Sequence, residues 1–554
     1  MFFRTKAAKG GTYLQLVENR REGRKVRQRV LATLGRVDDL GASGQMDALL
    51  RSGARFAAQS LLLQGGARDL SGGSSHRRIG APLLFGRLWE EAGVAEVLRD
   101  ALRGRAFSFP AERAVFLTVL HRLMAPGSDR AAEHWRQSYA IDGAGELDLH
   151  HLYRAMAWLG EPLPESEQAG ATPFAPRCTK DLIEEVLFER RRHLFSSLSL
   201  VFFDTTSVYF EGEGGEALGE YGHSKDHRPD LKQMVVGVVL DQDGAPLCSE
   251  MWPGNSTDVK SLLPVLKRLR ERFAIGRVCL VSDRGMVSGE VLEALEAQVP
   301  EVGYILGARM RRCAAVKDEV LARAGRFKEV VAKDDPEGHS PLKVKEVLAA
   351  GRRYVVCLNE DQAEKDRRDR GLILESLEKA LKRGDKALIG NKGYRKYVKA
   401  PAGRKLSVDW DKVGKEARYD GKWVLVTNLD LPAAEVALQY KRLWMVEAAF
   451  RTMKTTLETR PVYHRCDEAI RGHVFCSFLA LVLRRALDER LAAAGKKVEW
   501  ERLKVELDDL TEREVESQGK VGILRDSPKI HASAAFQAAG VALPPTLQIL
   551  DNST

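Results

Sequence analysis

Two runs of apolar, partly β-branched residues, each reaching an aspartate, constrain this chain more than any other feature. Leu200-Val-Phe-Phe leads to Asp204, and Val278-Cys-Leu-Val-Ser leads to Asp283. Such runs read as buried strands. Each then breaks into polar or turn-forming residues, Thr205-Thr206-Ser207 and Arg284-Gly285, so both strands are expected to stop at their aspartate. A carboxylate at the end of a buried strand must be hydrogen-bonded, paired or metal-bound, because burying it alone is too costly. A third acid, Glu447, lies in a helical segment that also carries Tyr440 and Lys454. Two strand-end carboxylates and a helical Glu make a hard-oxygen donor set suited to two Mg²⁺ ions and to phosphodiester chemistry.

The length of 554 residues exceeds what one core accommodates, so about two to four domains are expected. Lys and Arg outnumber Asp and Glu by 87 to 77, a net charge of +10. That surplus points to a polyanion partner, most simply nucleic acid. The seven cysteines contain no C-x₂-C pair, which argues against a zinc knuckle. Cys279, Cys357 and Cys476 lie in apolar runs and read as reduced core thiols, which fits a reducing compartment. No signal-peptide order opens the chain and no apolar run approaches about 18 residues, so a cytoplasmic protein without a membrane span is expected.

Residues 1–36 hold ten Lys or Arg and two acids. Thr12–Val17 and Lys25–Leu31 alternate at period two around Gly23, which reads as a β-hairpin with one cationic face. Arg20, Arg21, Arg24, Lys25 and Arg27 are its candidate DNA contacts; a solvated edge hairpin reads equally well. Gly65–Ser75 reads as a linker. Helical patterns follow over Pro82–Leu102, Pro110–Leu123, Ser128–Tyr139 and His150–Leu159, with Arg113, His121, Arg122, Arg130 and Arg136 expected to form a basic surface. This is a candidate helical DNA-binding region, although no helix-turn-helix is evident. Gly160–Pro176 reads as a second linker.

An α/β block comes next, with strands at Leu198–Asp204, Gln233–Leu240, Ala245–Trp252, Val278–Asp283 and Val302–Leu306, and helices at Ser256–Phe273 and Ser288–Ala297. Three strands, helix, strand, helix, strand is the ribonuclease-H-like order. Residues 311–430 interrupt it with short strands and a highly charged helix near Asp361–Arg383. The fold class is therefore multidomain α/β. Its expected parts are the hairpin (1–40), the helical region with linkers (41–175), the core's first part (176–310), an inserted β-containing domain (311–430), the core's second part (431–495) and a C-terminal region (496–554).

Residues 431–458 read as one continuous helix. At 100° per residue, Leu443, Val446, Phe450, Met453 and Leu457 fall within a stripe of about 80°. Tyr440, Glu447 and Lys454, seven apart, line up on its flank at about 20–60°. Glu447 with Arg451 also has the spacing of an ordinary helical ion pair. His473 reads as a hydrogen-bonded core histidine.

Asp204-Thr-Thr, Ser282-Asp283-Arg-Gly-Met286, and Tyr440 with Glu447 and Lys454 at +7 and +14 resemble the insertion-sequence DDE transposases. The resemblance is to the branch with a Y-x₂-R-x₃-E-x₆-K helix and a β-rich insertion before the Glu. Gly237-Val-Val-Leu-Asp, Pro253–Asp258, Gly390-Asn-Lys-Gly-Tyr394 and Arg471-Gly-His473 agree with it. The family's Arg position is Leu443 here. Arg442 and Arg451 are the nearest cations, Arg442 lying about 100° away around the helix.

The resemblance implies a bacterial enzyme that binds the inverted ends of its own element as a homodimer, nicks them and joins the freed 3′-hydroxyls to target DNA. It implies that Asp204, Asp283 and Glu447 hold two Mg²⁺ ions, with Mn²⁺ as a substitute, and that Lys454 contacts a terminal phosphate. Tyr440 would bind a phosphate or stack near an extruded base, or serve as an aromatic at the core edge. The alternatives are a nuclease on the same fold without strand transfer, and a non-catalytic DNA-binding descendant.

Overall fold

The computed structural model describes residues 2–8, 11–22, 25–46, 49, 71–168, 171, 175–191, 199–273, 278–297, 302–330, 342–383, 392–399, 406–517 and 520–550. Gly23, Arg24, residues 65–70 of the first expected linker, and Gly390-Asn391 lie outside them. The chain forms two compact units, one of residues 1–84, 137–140 and 497–554, the other of 85–136 and 141–496.

In the first unit, β1 (Phe2–Ala8), β2 (Gly11–Glu22) and β3 (Lys25–Arg36) form an antiparallel sheet. The expected hairpin thus gains a third strand, with Arg20 opposite Arg27 and Glu22 opposite Lys25 in the β2–β3 register. Strand β4 (Ser71–Arg78) covers Ser71–Ser75, which was expected to be linker. It pairs with Thr511–Ser517 in a four-stranded antiparallel sheet. A partner distant in sequence overrides the weak strand preference of Gly and Ser.

The second unit is built on a nine-stranded mixed sheet. Its strands are β5 (Ser199–Tyr209), β6 (Gln233–Leu240), β7 (Pro246–Pro253), β8 (Val278–Ser282), β9 (Val302–Gly307), β10 (Lys328–Val330), β11 (Leu342–Ala349), β12 (Arg352–Asn359) and β15 (Lys422–Thr427). Their order is β10-β11-β12-β15-β9-β8-β5-β6-β7. The β5–β8 and β8–β9 pairs are parallel and the rest antiparallel. β6, β7, β8 and β9 are buried along their whole length; β6, β8 and β9 are mainly apolar, while β7 also buries Glu250, which pairs with Arg268. The insertion was expected to be a discrete lobe. Instead β10, β11, β12 and β15 extend the main sheet beyond β9, so their apolar faces join the existing core. A two-residue ribbon of β13 (Val398–Lys399) and β14 (Ser407–Val408) forms a small separate cluster with the helix Glu360–Arg383.

The helical region differs from expectation in two ways. Pro82–Leu102 is two helices, Gly80–Glu91 and Val94–Ala101, because Gly93 takes a left-handed conformation between them (φ 74°). The basic surface is also partly buried. His121 and Arg122 are each 3% exposed, on a helix (Ala111–Met124) that packs against Leu149–Gly160 and the long helix Asp467–Ala493. Arg122 donates to His473 Nδ1 at 2.9 Å and to Ser477 Oγ at 2.6 Å. His473 Nε2 lies 3.0 Å from the Thr459 carbonyl, the bonded core histidine its apolar setting predicts. Two glycines bring these helices into backbone contact. A Cβ on Gly160 would sit 2.0 Å from the Glu468 oxygen, and one on Gly472 1.9 Å from the Met156 oxygen. Gly472 and His473 of the Arg471-Gly472-His473 motif are thereby accounted for by packing and hydrogen bonding.

Burial, then the Arg122 charge, lowers the His121 pKa from 6.5 to about 4. The same two causes, in that order, hold His473 well below its ordinary value. Both imidazoles fold neutral, and the unfolded chain takes up their protons first. The stability they allow is present above about pH 6.5 and is lost as pH falls toward 4. Urea midpoints should drop between pH 7 and pH 5, and His121→Phe should flatten part of that slope. A wild-type midpoint constant over this range would contradict the assignment.

Candidate catalytic site

The β5–β8 register positions the two aspartates. The last register partners are Phe202 and Val281. Asp204 and Asp283 each lie two residues further on, so they fall side by side at the point where β8 stops. β5 itself does not stop there. It continues to Tyr209 and pairs with β6, Asp204 opposite Val238. Thr205-Thr206-Ser207 had suggested a turn, but these residues are buried strand. Their hydroxyls are used under the loop of residues 211–232. Ser207 Oγ accepts from Lys225 N at 2.8 Å, and Thr205 O and Oγ1 accept from Lys225 Nζ at 2.8 and 3.1 Å.

Asp204 is half-buried and its Oδ1 accepts the Thr205 N–H at 2.7 Å. Asp283, also half-buried, opens a short 3₁₀ turn, Arg284–Met286. Arg309 pins that turn, donating to the Arg284 and Gly285 carbonyls at 3.0 and 2.6 Å. Tyr440 donates its hydroxyl to Asp283 Oδ1 at 3.0 Å. Burial, then the Asp283 charge, pushes the Tyr440 phenol far above its ordinary pKa, so it remains a donor. This contact depends on Gly307 at the end of β9. A Cβ there would lie 2.6 Å from the Tyr440 hydroxyl and 2.8 Å from Arg284 N.

The segment carrying Glu447 is not one helix. It comprises Ala433–Lys441, a second helix Trp444–Arg451, and a π-helical turn Thr452–Thr456. The junction is tightened by three-residue hydrogen bonds, Leu443 N to Tyr440 O at 3.0 Å and Met445 N to Arg442 O at 2.9 Å. Leu443, Val446, Phe450, Met453 and Leu457 are all buried, so the apolar stripe holds. The straight-helix alignment of Tyr440, Glu447 and Lys454 does not, since a tightened and a widened turn change the angle per residue. The Trp444–Arg451 helix packs on β5 and β6, against the strand that carries Asp204.

Glu447 is exposed, and neither it nor Asp283 has a basic partner among the described residues. The Glu447–Arg451 pair that the spacing allows is not formed. Arg451 is exposed and Arg442 half-buried. Among the described residues, Asp129–His464–His473 and Asp148–His150–His151 gather ligand atoms within 4.8 Å, and Asp204, Asp283 and Glu447 are not among the groups so gathered. Both ring nitrogens of His473 are already hydrogen-bonded, which sets the first of these groups aside.

Lys454, on the flank of the stripe, was expected to contact a terminal phosphate and so to be accessible. It is only 11% exposed in its side chain, and its Nζ pairs with Asp226 Oδ1 at 2.8 Å. Arg460 Nη1 reaches the same oxygen at 2.9 Å. Sequence reading missed Asp226, Arg460, Arg309 and Gly307. The polar run Ser224-Lys-Asp-His-Arg-Pro-Asp230 was the available signal for Asp226; for Arg309 and Gly307 there was none. Arg20 and Arg21 lie on β2 and Lys25 and Arg27 on β3, in the other compact unit, while Arg24 is not described.

A family model for the transposase DDE domain matches residues 196–483, and one for the N-terminal domain of IS1634 family transposases matches residues 3–69. No curated protein matches the chain. Among solved structures, the chain is similar to a piggyBac transposase synaptic complex with hairpin DNA, at 11% identity and a TM-score of 0.36, covering 77% of this chain and 80% of that one. It is also similar to a Mos1 transposase paired-end complex with the left transposon end, at 14% identity and a TM-score of 0.15, covering 36% and 60%. The DDE-domain match spans just over half of the 554 residues and contains all three carboxylates, and the chain belongs to the insertion-sequence DDE transposases.

Proposed function

We propose that Asp204, Asp283 and Glu447 are the catalytic carboxylates of this transposase. They hold two divalent cations, Mg²⁺ with Mn²⁺ as a substitute, on a ribonuclease-H-like core formed by β5–β9. The observation that carries this reading is the β5–β8 register, with the Glu447 helix packed on the same β5. The donor set fits a hard cation: three carboxylates, two of them without a basic partner among the described residues in a chain of net charge +10. Bound there, the cations supply Lewis-acid assistance to the attacking and leaving oxygens of an in-line displacement.

The protein's own groups do the positioning. Tyr440 fixes the Asp283 carboxylate, and Arg309 fixes the turn on which Asp283 sits. Arg442 and Arg451, beside Glu447 in sequence, contribute cations for the DNA backbone. The basic strands β2 and β3 bind the element ends through phosphates, with Arg20, Arg21, Arg24, Lys25 and Arg27 as contacts. The reaction nicks each end and joins the 3′-hydroxyl to target DNA, on paired ends held by two copies of the chain. A nuclease without strand transfer differs only in the second step, so joined products in an assay with target DNA separate the two.

Asp204→Asn, Asp283→Asn and Glu447→Gln should each reduce Mg²⁺-dependent cleavage of a labelled element end by about a thousandfold or more while leaving end binding intact. Substantial residual cleavage in any one would remove that residue from the ligand set. Gly307→Ala should slow cleavage by about 10- to 100-fold, because the added methyl displaces either the Tyr440 hydroxyl or the Asp283 turn. A wild-type rate in that variant would show that the Tyr440–Asp283 contact is dispensable.

A further inference from the structure

The loop between β5 and β6 carries a carboxylate that the catalytic assignment does not use. Asp226 is 6% exposed in its side chain, and its Oδ1 is shared by Lys454 and Arg460. Its Oδ2 is buried and has no hydrogen-bond partner. One acid therefore serves two cations with one oxygen and strands the other. A buried ion pair gains most when every lone pair is satisfied, so this arrangement is poorly suited to a purely structural role.

The surroundings favour a nucleic-acid ligand. Lys454 lies in the π-helical turn one element beyond Glu447. The Arg460 segment is tied to the end of β5, with Val462 N donating to Tyr209 O at 3.1 Å and Glu211 N to Val462 O at 3.0 Å. Both cations are thus fixed beside the strand that carries Asp204. Arg460 also lines a cleft of about 1020 Å³ whose other cations are Arg154 and Arg465, with Tyr153, Tyr463 and His464 beside them. A phosphodiester carries one negative charge, like the carboxylate, and its two unbridged oxygens can each take a donor, one from the ammonium and one from the guanidinium.

We propose that Arg460 joins Lys454, whose phosphate contact the family resemblance already implies, in one phosphodiester seat, and that the Asp226 carboxylate fills this seat while DNA is absent and yields when DNA binds. The exchange moves one side chain out to water, where both of its oxygens are hydrated, and leaves the backbone in place. The proposal rests on the reading of this chain as a DNA enzyme.

The test is fluorescence anisotropy of the full-length protein with a labelled random-sequence duplex over a series of KCl concentrations. Asp226→Asn should bind at least about fivefold more tightly than wild type, since no ion pair has to be broken, with an unchanged salt slope. Arg460→Ala should bind more weakly, with a slope shallower by up to about 0.9. The double variant should lose the Asp226→Asn gain. A folded Asp226→Asn protein that binds no more tightly than wild type overturns the seat, as does an Arg460→Ala protein with wild-type affinity and slope. If Asp226→Asn does not fold, the Arg460→Ala slope decides alone. Wild-type protein that fails to bind the duplex defeats the DNA-enzyme reading and the seat with it, whereas intact wild-type binding without these changes defeats only the seat.

Discussion

The parallel pairing of β5 with β8 is the constraint on which the candidate site depends. It fixes Phe202 against Val281 and carries two aspartates, 79 positions apart in the chain, to neighbouring places where β8 ends, on interior strands of the sheet. A one-residue slip would turn one side chain to the opposite face. The register is held by burial on both faces, since Val201, Phe202, Val281 and Leu280 are fully enclosed. The early end of β8 matters equally. Beyond Ser282 the strand gives way to a turn, and β5 runs on paired with β6.

Around this pair the structure departs from regular geometry where a site needs it. The Tyr440 helix ends at Lys441, and a tightened junction redirects the chain into the helix that presents Glu447. A π-helical turn then brings Lys454 back toward the β5–β6 loop. Gly307 lets the Tyr440 hydroxyl reach Asp283 through space that a methyl group would fill. Each departure keeps the apolar stripe in the core while changing where the polar side chains point.

The strands β5, β6, β8 and β9 were legible because they contain apolar, largely β-branched runs, the composition of strands buried on both faces, and β7 because Asp243-Gly244 marks the turn that joins it to β6. The stripe from Leu443 to Leu457 was legible for the same reason, since burial of apolar groups tolerates a locally altered helix. What failed depended on partners remote in sequence. Thr205-Thr206-Ser207 resemble turn residues until the Lys225 loop supplies their hydrogen bonds. Arg122 resembles a surface cation until His473 and Ser477 enclose it. Ser71–Ser75 resembles a linker until Thr511–Ser517 pairs with it. Lys454 was placed by extrapolating a straight helix, which could not anticipate either the junction at Leu443 or the Asp226 carboxylate.

The claim that the two strand-borne aspartates and Glu447 form one metal site can be tested directly by iron-directed cleavage of the polypeptide. Fe²⁺ would replace Mg²⁺ in the protein–DNA complex, and ascorbate and peroxide would generate radicals at the bound ion. A single shared metal site gives chain breaks close to residues 204, 283 and 447 together, suppressed by excess Mg²⁺. Breaks confined to the vicinity of His150 and His151, or to only one of the three carboxylates, would contradict it.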